Sequence, residues 1–439
     1  MAAGAVGGVA LAAPGDLTFK RCVEDTLGPE DCGRESVALN GANDLALSPD
    51  GRSLYVPAIF GNSVAHLRVN ERLGRLRPDD AGCIDDPAGA DLCPRRAVGL
   101  SGVGSATVSP DGKHVYTTAA GSRLVILKRT GSGALRRNEC IEDDVNGFGV
   151  CTKTAPGLLG ASSVVISPDG RFAYGVGSAD DAISLFRRNA TTGKLRSLGC
   201  VEDGPRSLTP DSSGCARTAG GLDGVTDLAF GRGNRSLYYA GSLSDTVGRL
   251  ARRRDNGRLR PRECVADENT GTGGCAIEMQ GLDGPNSLVL DSTRRYLHVS
   301  SGNGFESSIA TLKLRGQAGE LRPRECLADA DSGPPAGCTR EADGLEVVNG
   351  LAMSPDDRFL YGRASIDDSV VTLKRNPRNG RLSDRGCIAD DDAPAPGSDC
   401  AAEAETLNGG GSILITSNGR WLLTVSQIED AVSVFRRQP

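Results

Sequence analysis

A turn that keeps coming back constrains this chain more than anything else in it. Ser48-Pro-Asp-Gly51 lies between two short apolar runs, Leu45 to Leu47 and Leu54 to Val56. Pro presets φ, Asp hydrogen-bonds its own backbone and Gly accepts φ > 0, which together specify a tight turn joining antiparallel strands. The turn returns as Ser109-Pro-Asp-Gly112, Ser167-Pro-Asp-Gly170 and Ser354-Pro-Asp-Asp357. All four copies are followed by a Tyr: Tyr55, Tyr116, Tyr174 and Tyr361. Degraded copies stand at Gly231 to Asn234 before Tyr238, Asp291 to Arg294 before Leu297, and Thr416 to Gly419 before Leu422. That makes seven repeats spaced by about 60 residues, the signature of a repeat architecture.

Each repeat reads as four strands. Two flank the turn. The third is an apolar run opened by a small or acidic residue, as in Asp181 to Phe186, Asp368 to Leu373 and Asp430 to Phe435. Both of its faces are apolar or small, which suits a strand buried between neighbouring sheets. The fourth runs from a Gly to the first Cys, as in Gly193 to Cys200 and Gly257 to Cys264. In the first full repeat the segment Gly74 to Cys83 is two residues longer, which predicts a bulge.

The ends decide between a closed and an open array. The chain stops at Phe435-Arg-Arg-Gln-Pro439, after a third strand, and Gly15 to Cys22 has the spacing of a fourth strand ahead of the first full repeat. If the two pair, both termini complete the last sheet. The expected fold is therefore an all-β, seven-bladed β-propeller with four antiparallel strands per blade, occupying residues 15–439 as one domain. An open β-solenoid competes, but does not require this permutation. Residues 1–14, rich in Ala, Gly and Val, read as a leader remnant or a disordered tail.

The cysteines come as one pair per repeat: Cys22 and Cys32, Cys83 and Cys93, Cys140 and Cys151, Cys200 and Cys215, Cys264 and Cys275, Cys326 and Cys338, Cys387 and Cys400. An even, periodic count favours local disulfides and an oxidising, extracytoplasmic compartment. A metal site would need CxxC-type pairs or nearby His, and the three His lie elsewhere. No apolar run approaches the ~18 residues of a membrane helix. The net charge of -6 is small, and the Arg and Pro of the fourth strands (Arg258, Arg260, Pro261, Arg262; Arg322, Pro323, Arg324) read as edge protection. No interleaved aromatics suggest nucleic acid.

These repeats resemble the seven-bladed lactonase-like propellers with YVTN-type repeats, which include propeller-type 6-phosphogluconolactonases. The shared text is Ser-Pro-Asp-Gly-Arg-x-Leu-Tyr-Val, Asp-x-Val-Ser-x-Phe-Arg and Thr-Gly-x-Leu, the last at Thr192 to Leu195. What recurs is turn and packing residues, so the resemblance implies architecture and carries no catalytic residue across. The Cys-bridged loops suggest a secreted branch.

Topology places the Cys loops on the face where the channel opens, and they are acidic. An Asp stands three residues after the first Cys in all seven repeats: Asp25, Asp86, Asp143, Asp203, Asp267, Asp329 and Asp390. The main reading is an Asx-type turn shaping each loop; a Ca²⁺ ligand is the sharper one. The opposite face receives Arg187, Arg188, Arg252 to Arg254, Lys374, Arg375, Arg436 and Arg437. His66, His114 and His298 occupy packing or turn positions. Asn43, Ser162, Thr226, Asn286 and Asn349, at the start of inner strands, with Arg363, are the candidates to line the channel and orient a ligand. Two functions follow: a rigid, monomeric extracellular scaffold binding a small molecule, glycan or protein through its acidic loop face, or a lactonase-like hydrolase with its site in the channel.

Overall fold

The structure is a computed structural model. It describes residues 13–439 apart from 90, 205–213, 273, 303–306, 331–337 and 392–399; the segment read as a leader thus lies almost wholly outside the described residues.

Seven small sheets follow one another around a ring. Blade 3 shows the pattern: Ala161–Ile166, Phe172–Gly177, Ala182–Arg188 and Leu195–Asp203 pair in antiparallel order from the channel outward. The second strand is buried along its whole length in every blade, since it packs on both neighbours. The core accordingly sits between blades, as where Tyr174 and Val176 of blade 3 meet Leu228 and Tyr239 of blade 4.

The ring closes as the ends of the sequence require. Leu17–Asp25 runs antiparallel to Ala431–Arg437, with Phe19 opposite Phe435 and Cys22 opposite Ser433. Gly15 N–H donates to the Gln438 carbonyl (3.0 Å), and Gln438 N–H to that of Asp16 (2.9 Å).

Two features differ from the four-strand reading. After its Cys loop the chain returns as a short parallel strand on the outer edge, for example Thr154–Ala155 beside Leu135–Asp143. And the expected bulge of blade 1 is a 3-10 turn, Asp80–Gly82, that splits the outer strand into Arg75–Pro78 and Ile84–Asp85. The other six blades carry a one-residue register shift between third and fourth strands.

All seven Cys pairs are joined, each inside its own loop, at sequence separations of 10 to 15. The recurring Asp has the turn role. Asp143 Oδ1 accepts N–H from Val145 and Asn146, and its Oδ2 accepts from Leu158 at the far end of the loop (3.1 Å). Asp25, Asp86, Asp203, Asp267, Asp329 and Asp390 likewise reach a Leu N–H at the loop's end. These carboxylates are buried and bound to amides, so they do not form a solvent-facing acidic crown. Among the described residues no group of acidic, His or Cys side chains has a metal-binding arrangement.

Adjacent blades are tied on both faces. On the Cys-loop face the residue that opens each third strand holds an N–H of the next blade: Asp181 takes Gly224, Asp245 takes Gly284, Asp368 takes Gly409, and Asn62 takes Gly102. In blade 5 the acceptor is Ser307 and the donor Val347, at φ 55. Glycine fills that left-handed position in the other six repeats. Left-handed backbone costs a side chain about 1–2 kcal/mol, so Val347→Gly is expected to raise the thermal midpoint by roughly 1–3 °C. A midpoint lower than the parent's in calorimetry would refute this.

On the opposite face the motif Tyr becomes a latch. Tyr116 Oη donates to the Gly193 carbonyl of the next blade (2.7 Å) and accepts Nε–H of Arg188 (2.7 Å). Arg188 Nη2 reaches both carboxylate oxygens of Asp111 at 2.9 Å. Tyr55, Tyr174 and Tyr361 repeat this with Arg129, Arg252 and Arg437. In blade 5, His298 takes the Tyr place: Arg375 Nε–H donates to its Nε2 (3.2 Å), and Arg375 pairs with Asp291. At the seam Trp421 Nε1–H donates to the Glu71 carbonyl instead (2.7 Å). Arg188, Arg252, Arg375 and Arg437 are therefore buried latch residues, and do not present charge on that face.

The pH dependence of stability follows from these placements. Burial, with neighbouring carboxylates adding to it, pushes Asp91, Asp180 and Asp223 up to about 6 and Glu429 up to about 7. A carboxyl whose folded pKa is raised stabilises fully below its unfolded value near 4, and that contribution is lost as pH rises through 6–7. Burial also opposes ionisation of Asp111 and Asp356, but Ser hydroxyls and the latch arginines outweigh it and hold both low, so the latches survive at pH 5. The thermal midpoint is expected to be higher at pH 5 than at pH 7.5. A midpoint that climbs steadily from pH 5 to 7.5 is the contrary result.

Candidate ligand site in the central channel

The first strands face one another across the ring axis and begin at the Cys-loop face. Near the start of five of the seven, pairing with the second strand slips by one residue, as between Val225 and Asp227 in blade 4 and between Pro285 and Ser287 in blade 5. A bulge turns two consecutive side chains toward the axis. The result is a cavity of about 620 Å³ with two tiers of short polar residues. The upper tier holds Asn43, Ser162, Thr226, Asn286 and Asn349, the five positions expected from sequence. The lower tier holds Asp44, Ser105, Ser163, Asp227, Ser287 and Ser412.

The upper tier is anchored to backbone carbonyls. Asn43 Nδ2 donates to the Gly104 carbonyl (2.6 Å) and Thr226 Oγ1 to that of Pro285 (3.1 Å), both in the next blade, whereas Asn286 Nδ2 donates to the Gly302 carbonyl of its own blade (3.2 Å). Arg363 is elsewhere. It is completely buried in a second strand, where its guanidinium donates to the carbonyls of Ala364, Ser369 and Leu407, and burial lowers it to about 10. It ties blade 6 to the end of its Cys loop. Removing Arg363 would thus report on folding and not on the channel.

Sequence reasoning passed over the lower tier. Asp44 and Asp227 sit at a position that is Ser or Gly in the other repeats, and a carboxylate in an inner strand was the available signal. Each spans two blades: Asp44 Oδ2 accepts N–H of Ala106 (2.9 Å), and Asp227 Oδ2 that of Leu288 (2.8 Å). Their other oxygens accept from Leu45 and Leu228 (2.7 Å each). Both acids lie deep in the protein yet remain half-buried, open to the channel. Burial raises Asp44, and it pushes Asp227 up to about 6, with the charge of Asp44 adding to the effect. Asp44 also accepts from the Ser412 side chain, while each oxygen of Asp227 keeps a lone pair for a ligand. Among the described residues no Lys, Arg or His lines this cavity.

The three histidines are away from it. His66, His114 and His298 are buried, and burial lowers them to about 4, 4 and 3, which keeps the rings neutral.

The loops joining second to third strands, on the face where the channel opens, carry exposed apolar side chains. Two residues before the opening residue of the third strand stand Phe60, Leu243, Ile366 and Ile428, 60%, 68%, 45% and 63% exposed, with Ala120 and Ala179 at the same place in blades 2 and 3. Ile428 itself lines the cavity. Side chains of this size are seldom left in water at equivalent positions of a ring without a partner.

No protein-family model matches the chain, and no curated protein does. Solved structures do. A putative 6-phosphogluconolactonase from Bacteroides uniformis superposes with a TM-score of 0.56 at 18% identity, over 78% of this chain and 83% of that one. The periplasmic gluconolactonase of Pseudomonas aeruginosa gives 0.55 at 18% identity, over 79% and 85%. The Cps50 (Swd1) propeller domain of Myceliophteria thermophila gives 0.56 at 10% identity, over 90% and 96%. Likeness at this level is likeness of fold. The chain is a disulfide-bridged, seven-bladed β-propeller with the architecture of the lactonase-like propellers.

Proposed function

We propose that the chain is a binding propeller of an extracytoplasmic compartment, taking into its channel an organic ligand that joins an amino group to an apolar body. The observation that carries this is the lining: two carboxylates, a tier of amides and hydroxyls, and no cation among the described residues. A phosphorylated or carboxylate substrate would meet two negative charges with nothing to balance them, whereas an ammonium group finds acceptors on opposite sides. The exposed apolar side chains on the face where the channel opens suit the rest of such a molecule. Seven disulfides fit the compartment.

Titration calorimetry with a series of hydrophobic amines, a neutral sugar and a sugar phosphate tests the reading. Amines are expected to bind and the sugar phosphate not to. Asp227→Asn should weaken amine binding about tenfold or more, in line with a lost charge-assisted hydrogen bond. Because Asp227 ionises near 6, affinity should fall as pH drops below that value. Equal binding of amine and phosphate, or an affinity indifferent to Asp227→Asn, would defeat it.

One observation favours a second reading, hydrolysis of an uncharged lactone. A carboxylate that lines the channel and is pushed by burial up to about 6 suits a general base. Turnover of gluconolactone that disappears in Asp227→Asn would establish it.

A further inference from the structure

On the opposite face, away from the channel mouth, the blade edges form concave notches that repeat from blade to blade. In blade 6 a groove of about 650 Å³ is lined by Arg340, Arg358, Lys374, Arg378 and Arg381. In blade 3 a groove of about 760 Å³ is lined by Lys153, Arg187, Lys194 and Arg196. The two are the same structural position. Lys153 and Arg340 immediately precede the short parallel strand of one blade, and Lys194 and Arg381 immediately follow the outer-strand glycine of the next. A smaller concavity between blades 3 and 4 carries the same pair as Arg217 and Arg258.

The charge in these grooves is not balanced locally. In blade 6, Glu325 answers Arg381 (2.8 Å) and Arg340 (3.7 Å), which leaves Arg358, Lys374 and Arg378 exposed with no ion pair among the described residues. In blade 3, Glu139 takes Lys153 (2.5 Å), and Arg187, Lys194 and Arg196 are left in the same way. The protein has a net charge of -6, yet no Asp or Glu is among the described residues that line either groove. In each groove several of these unpaired cations converge on one concavity.

We propose that these grooves bind a polysaccharide bearing sulfate or phosphate esters, whose successive anionic groups occupy notches of successive blades. A tetrahedral oxyanion uses several N–H donors at once, and Arg and Lys supply them in a groove. Repetition around the rim makes contacts of one polymer additive, so a long chain binds far more tightly than one ester. Neither groove lining offers an exposed aromatic on which a base could stack, which disfavours single-stranded nucleic acid. None of the large exposed apolar side chains belongs to either groove, which disfavours insertion into a membrane surface.

Calorimetry of the intact, oxidised protein with dextran sulfate, phosphorylated dextran and uncharged dextran tests the proposal. Double-stranded DNA and vesicles containing one-third phosphatidylserine serve as competing partners. Both charged dextrans, or one of them, should bind at low salt, more weakly as salt rises, and uncharged dextran should not. The ester that binds identifies the source of the anion. The variant Arg358→Ala/Lys374→Ala/Arg378→Ala removes exposed side chains outside every latch and should weaken binding at least tenfold. Removing three exposed charges that do not occupy a charged groove position in any blade, Lys20→Ala/Arg232→Ala/Arg324→Ala, should change it less than twofold. Equal losses in the two variants, absence of binding to either charged dextran at low salt, or binding confined to DNA or to vesicles would overturn the proposal.

Discussion

Reduction of the seven disulfides is expected to unfold the protein at ordinary temperature. Each closes a loop at a separation of 10 to 15 residues. In the chain-entropy model a loop of that size is worth about 2.5–3 kcal/mol. Seven independent loops give on the order of 20 kcal/mol, more than the ~5–15 kcal/mol that usually separates folded from unfolded. The inner strands do not depend on the bridges directly, but every path from one blade to the next passes through a bridged loop. Those loops carry the Asp staples, and each staple needs its loop's two ends held together. Reduced and alkylated protein should lose its cooperative transition, followed by near-ultraviolet circular dichroism during heating. If that transition persists within a few degrees of the oxidised protein's, the bridges decorate an already self-sufficient ring.

The second large effect is expected from Arg188→Ala. The guanidinium of Arg188 is wholly buried and joins four groups of two blades: Tyr116 Oη, the Asp111 carboxylate, His114 Nδ1 and the Gly170 carbonyl. Its loss leaves that carbonyl and the hydroxyl oxygen short of a donor and opens a cavity at the blade junction. Asp111 is about a third exposed and recovers water, which moderates the cost. About 2–4 kcal/mol is expected, seen as a lower urea midpoint. Tyr116→Phe, which removes one hydroxyl, should cost about 1 kcal/mol. Arg187→Ala, one residue away and exposed, should cost almost nothing. The order of the three variants is the test, and an Arg188 effect no larger than that of Arg187 contradicts the latch.

The same comparison shows why the sequence was legible in one respect and not in another. The Ser-Pro-Asp-Gly turn was read as local turn chemistry, and it has that chemistry: Ser109 Oγ donates to Asp111 Oδ1 at 2.6 Å. Its Asp also pairs with an arginine 77 residues away, and no local pattern states that partner. Arg188 and Arg187 are adjacent and of one type, yet one is buried in a latch and the other lies in a charged groove. Strand alternation sends them to opposite faces, and only the packing of the next blade says which face is closed.

What the sequence determined by itself was everything that repeats: seven blades, the closure of the last by Gly15 to Cys22, the bridge inside each loop, and the polar tier from Asn43 to Asn349. Those follow from spacing, because identical local chemistry at a fixed period leaves few ways to bury the apolar strands. The tertiary structure decided what each exception means. Arg363 is a charge in a strand position otherwise uncharged, and Asp227 shares with Asp44 a position that is Ser or Gly in the other repeats. The first is sealed among carbonyls between strands, and the second opens on the channel. The difference arises because a second strand has a neighbour on each side, while a first strand has the empty axis of the ring on one side, and that geometry exists only once all seven blades are assembled.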